Sequence, residues 1–170
     1  LPETTVSRNG ENTATKTVVD SYSVNATTKP YRAFNTVTET TLNEGGASLV
    51  LRKERAFDNY GNLTYIRDFG RKDLTGDETW TGIGYMPNTA NYVVSLPRIK
   101  WIQSGGFDST TSVLEKQTTY YYDGSTVNKT PPATGNMTLQ LDYFNNTTGT
   151  RRFTHTYDAN GNRLSTVDGA

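Results

Sequence analysis

The feature that most restricts how this chain can fold is a short phrase used three times. It reads Phe57-Asp58-Asn59-Tyr60-Gly61-Asn62-Leu63-Thr64 in one copy and Tyr157-Asp158-Ala159-Asn160-Gly161-Asn162-Arg163-Leu164-Ser165 in another. A third copy is split: Tyr122-Asp123, an insertion from Gly124 to Thr134, then Gly135-Asn136-Met137-Thr138. The common frame is an aromatic residue, Asp, two variable residues, Gly and Asn. Such a frame encodes a tight reversal of the chain. Asn160-Gly161 predicts a two-residue turn with positive φ at both positions. That turn would set Tyr157 opposite Leu164 and Asp158 opposite Arg163, pairs that contribute roughly 0.2–1 kcal/mol each. The Gly61 copy instead favours a type I turn with a glycine bulge. The apolar residue follows Asn62 directly but follows Asn162 one residue later. A one-residue slip reverses the faces of a strand, so at least one copy is expected to carry a bulge.

Between these reversals lie strand-length segments separated by turn residues. They fall near 31–41, 48–58, 62–69, 78–86, 90–103, 112–123, 136–144, 151–159 and 162–168. No window holds a 3.6-residue apolar period. The strongest alternation puts Met137, Leu139, Leu141 and Tyr143 on one face and Thr138, Gln140, Asp142 and Phe144 on the other. The sequence contains 30 threonines, 15 asparagines and 11 tyrosines in 170 residues, a composition that fits pleated, half-buried surfaces. Leu, Ile, Val and Phe make only 32 positions, so the 19 aromatic residues must supply much of the apolar area. The fold expected is all-β: an antiparallel meander of hairpins, as a curved sheet or part of a β-shell, with one dry face and one wet, threonine-lined face. Residues 1–30 form a polar N-terminal segment of uncertain order in which only 17–24 reads as a strand, and residues 31–170 form the sheet region. The chain reads as a processed or excised piece.

The repeated frame resembles the YD repeat of the RHS/YD-repeat family, which includes bacterial Rhs toxins, the B component of insecticidal toxin complexes and the teneurins. The stretch from Asn88 to Arg98, with Tyr92-Val93-Val94-Ser95-Leu96-Pro97, is similar to an aromatic-Val-x-x-Leu-Pro segment of that family, and Lys116 to Asp123 leads into a turn as it does there. The resemblance covers roughly residues 48–170. It implies a secreted or surface location and a sheet that spirals into a shell. The implied partners are other YD repeats of the same or neighbouring chains and an encapsulated polypeptide. No aspartate-proline pair of the family's autoproteolytic core occurs, so that activity is not carried over. The implied role is structural and rests on the repeat residues Phe57, Asp58, Gly61, Asn62, Tyr122, Asp123, Gly135, Asn136, Tyr157, Asp158, Gly161 and Asn162.

Composition narrows the chemistry further. Seventeen basic residues balance seventeen acidic ones, leaving no basic surplus for nucleic acid. There is no cysteine and one histidine, so thiol catalysis and a two-histidine metal site are excluded within one chain. No apolar run reaches the roughly 20 residues of a membrane helix. His155 sits between Phe153 and Tyr157 without a nucleophile or orienting acid, and reads as a half-buried, hydrogen-bonded histidine. Asp158, Asn160 and Asn162 alternate like calcium ligands, but the glycine is misplaced and no distal glutamate follows, so they read as turn chemistry. Neither a metal nor a cofactor is expected, and no enzyme constellation is found. Trp80 and Trp101 remain open between core packing and stacking against a surface glycan. Two alternatives to the structural role follow: a glycan-binding, adhesin-like module and a subunit that self-assembles through open sheet edges. The insertion 124–134, with Pro131-Pro132, is expected to protrude as a recognition loop.

Overall fold

The computed structural model describes residues 2–27, 29–44, 46–107, 110–144 and 149–169. Eleven strands form one antiparallel sheet whose spatial order is the chain order. They are β1 (Glu3–Arg8), β2 (Ala14–Asn25), β3 (Arg32–Glu44), β4 (Ala47–Phe57), β5 (Leu63–Arg71), β6 (Thr79–Tyr85), β7 (Pro97–Ser104), β8 (Val113–Tyr122), β9 (Met137–Phe144), β10 (Gly149–Tyr157) and β11 (Arg163–Gly169). The sheet is a meander and is not closed: β1 and β11 each pair on one side only.

Strands β3 to β11 correspond one to one with the nine segments that the alternation and turn signals mark. Two differences are informative. The first 30 residues carry β1 and β2, and β2 runs well beyond 17–24. Threonine and serine fill those strands, so hydropathy hides a segment whose branched side chains still suit the pleat. The segment expected over 90–103 begins its strand only at Pro97. Proline cannot donate to the ladder and is tolerated at the first position of a strand. The residues before it form a loop closed by a bridge between Asn88 and Val93.

The expected separation into a dry and a wet face is not what the sheet does. Register places Ile99, Thr119 and Leu141 side by side on one face, and Lys100, Thr118 and Asp142 on the other. Both rows include the most buried side chains in the molecule: Thr119 is 4% exposed, Thr118 5% and Asp142 6%. Among the described residues only Val94 and Tyr122 are buried large hydrophobics. The reason is geometric. Among the described residues no second layer covers either face, so burial comes from side chains on adjacent strands, and the buried polar and aromatic residues of the strands lie on β8, β9 and β10. The accessible surface is 10,693 Å². A compact monomer of this mass would expose about 8,300 Å².

Candidate functional site

Antiparallel order sends alternate connections to opposite ends of the sheet. The turns β4–β5, β8–β9 and β10–β11, which carry the repeated frame, therefore share one end with the β6–β7 loop. In the first copy Gly61 N donates to Asp58 O at 3.1 Å, and Asp58 N donates to Asn62 O at 2.9 Å. The Asp58 carboxylate accepts from the backbone of Tyr60 (2.8 Å) and Asn62 (2.9 Å) and from the Asn62 amide (2.9 Å). The last copy repeats every bond: Asp158 accepts from the backbone of Asn160 and Asn162 and from the Asn162 amide. Gly61 and Gly161 have φ of 87° and 83°.

The two-residue turn expected at Asn160-Gly161 does not form. Only Gly161 takes positive φ there, so the reversal is a type I turn closed by a glycine bulge. Tyr157 consequently pairs with Arg163, and Leu164 is skipped in the register. Thr64 is skipped between Ala56↔Tyr65 and Phe57↔Leu63, and Thr138 between Tyr121↔Leu139 and Tyr122↔Met137. All three copies therefore carry the same bulge. The offset in their apolar residues is an offset in sequence and not in geometry.

The split copy keeps the frame across its insertion. Asp123 N donates to Asn136 O at 2.7 Å, and Gly135 has φ of 90°. The Asp123 carboxylate accepts from the Thr134 hydroxyl (2.5 Å) and from the backbone of Ala133 (2.7 Å), Thr134 (3.0 Å), Gly135 (3.3 Å) and Asn136 (2.9 Å). Desolvation pushes the pKa of this carboxyl up, but the Thr134 hydroxyl and these amides outweigh it and hold it down to about 2. The insertion does not stand free. Asn88 and Asn91 donate their side-chain amides to Pro132 O and Ala133 O, both at 3.0 Å, and tie its return limb to the β6–β7 loop.

Tyrosine hydroxyls join successive hairpins. Tyr157 donates to Met137 O at 2.9 Å, Tyr122 to Pro97 O at 2.7 Å and Tyr85 to Leu63 O at 3.1 Å. Each tyrosine ends an even-numbered strand, and each acceptor opens the odd-numbered strand before it. Desolvation raises the pKa of Tyr85 and Tyr122, and keeps these hydroxyls protonated as donors. The turns also interlock. The ring of Phe34 stacks on Phe57 at 4.5 Å and lies against Gly61, Asn62 donates to Val94 O at 2.8 Å, and Leu96 lies against Gly135. The result is a continuous row of turns.

Sequence reasoning placed Phe57, Tyr122 and Tyr157 in this row but missed Tyr85, which does the same work. The available signal was spacing. Tyr85, like Tyr122, closes a strand that is followed by a long connection.

Other expected residues lie away from this end. Trp101 lies flat over Gly82 on the neighbouring strand, where an added Cβ would sit 2.1 Å from its ring, and meets Trp80 edge-on at 6.4 Å. His155 is buried, its Nδ1 is 3.0 Å from the Thr166 hydroxyl, and burial lowers its pKa. The basic cluster Arg52–Arg55 makes cross-strand pairs, Arg52 with Glu39 at 3.2 Å and Lys53 with Asp68 at 2.7 Å. Arg151 pairs with Asp168. Among the described residues no helix is long and apolar enough to cross a membrane. No protein-family model matches this sequence, and no curated protein is significantly similar to it.

Proposed function

We propose that this chain is a non-catalytic structural segment of a large secreted or surface protein of RHS/YD-repeat type, and that it serves as wall in an encapsulating or display scaffold. The observation that carries this reading is the row of interlocked turns. Asp58, Asp123 and Asp158 spend their carboxylates on the backbone of their own turns, and Tyr85, Tyr122 and Tyr157 spend their hydroxyls on the preceding hairpin. Groups that could do chemistry are used as rivets. The surface excess over a compact monomer is of the order expected of a single layer that further chain or an enclosed polypeptide would cover. Sequencing the coding region on both sides tests the proposal. Further copies of aromatic-Asp-x-x-Gly-Asn are expected there, and their absence would overturn it.

One observation favours a second reading, self-assembly through sheet edges. β1 is exposed along its length and β11 nearly so, and Val6, Leu164 and Val167 on these strands are 40%, 67% and 58% exposed. A strand that offers apolar side chains and an open ladder recruits another strand. The 170-residue chain should then sediment as concentration-dependent oligomers, and Leu164→Lys should shift it to monomer. Monomer at all concentrations would exclude this reading.

A further inference from the structure

Arg67, on the inner strand β5, is paired with no carboxylate among the described residues. Its guanidinium carbon lies 5.0 Å from the ring of Tyr65, 5.3 Å from Trp80 and 5.4 Å from Phe107. Its Nε is buried without a hydrogen-bond partner, as is the indole nitrogen of Trp80. A cation held among three rings is compensated by their π faces only in part, and loses hydration that an ion pair would replace. Glu54 stands opposite it in the register but is engaged by Arg52 at 2.5 Å.

Arg67 lines an open cavity of about 700 Å³ between the β5–β6 and β7–β8 connections, at the end of the sheet away from the repeated turns. Phe107 forms an aromatic wall and is itself braced edge-on by Phe69 at 4.6 Å. Thr75 and Glu78 stand on the rim. We infer that this cavity binds a carboxylate-bearing saccharide, with the acid group on Arg67 and the sugar ring against Phe107. The class follows from the mixture. A planar cation recognises a carboxylate through paired N–H donors. An aromatic wall takes the apolar face of a pyranose. A hydroxyl and a carboxylate beside it offer acceptors for ring hydroxyls. The inference does not depend on the structural role proposed above.

The test titrates the 170-residue chain with glucuronate and with a glucuronate oligomer, and reads Trp80 fluorescence and calorimetry. Glucose, acetate and poly-glutamate are the controls. Saturable binding of the uronates is expected, at least about tenfold tighter than any control. Arg67→Gln should weaken uronate binding at least about tenfold, and Phe107→Ala should weaken it without changing the response to acetate. Arg67→Lys keeps the charge but loses the paired donors, and is expected to bind weakly with an unaltered melting temperature. It carries the test if the glutamine variant does not fold. No saturable response to either uronate, equal binding by poly-glutamate, or unchanged binding in both Arg67 variants would overturn the inference.

Discussion

Asp123 shows how much one carboxylate can organise. It gathers five donors from the end of an insertion and so restores a turn that the insertion would otherwise abolish. Its pKa is held down to about 2, against about 4 in an unfolded chain. The sign of the linkage follows. The stabilisation is fully present above about pH 4 and is lost as pH falls through about 2, because the unfolded chain takes up the proton first. Asp123 is exposed, so solvent screening reduces the effect below what the shift alone implies. Asp123→Asn should cost about 1 kcal/mol at pH 7 through weakened hydrogen bonds. Its melting temperature should also fall less than that of the parent between pH 4 and pH 2. Parallel pH profiles for the two proteins would show that the carboxylate does not hold the loop.

At the scale of the element, the hairpin is completed by its neighbour. A buried carbonyl left without its tyrosine donor costs roughly 1–3 kcal/mol. Tyr85→Phe, Tyr122→Phe and Tyr157→Phe should each therefore lower the urea midpoint, Tyr122→Phe most because that residue is only 8% exposed. A silent Tyr85→Phe would mean that the hairpin lacking the repeat phrase is not equivalent to the others. How far the sequence reveals these elements depends on what each signal encodes. Asp, Gly and Asn at fixed spacing state a backbone geometry, so the turns at 58–62 and 158–162 are legible. The exact turn type is not, because Asn160-Gly161 satisfies two geometries and the choice falls to the bulge that all three hairpins share. Strand β1 is hidden by its hydroxyl side chains, and only 17–24 of β2 shows. The interlocking of Asn62 with Val94 and of Leu96 with Gly135 joins residues that no local pattern pairs. The Arg67 site is illegible for the same reason: Tyr65, Trp80 and Phe107 meet only when two strands and a loop are brought together.

For the whole molecule, the decisive fact is that eleven strands make one layer. Thr118 and Asp142 are buried because strands flank them on both sides, not because they are apolar. The tyrosine bonds span 20, 22 and 25 residues, and strands pair with sequence neighbours throughout. Nothing in the sheet requires the first strand to meet the last. Each phenol also reaches back to a carbonyl that precedes it in the chain. A hairpin leaving a ribosome or a secretion channel thus finds its docking point already present, and the wall can grow by accretion, course upon course, while the rest of the chain is still unformed.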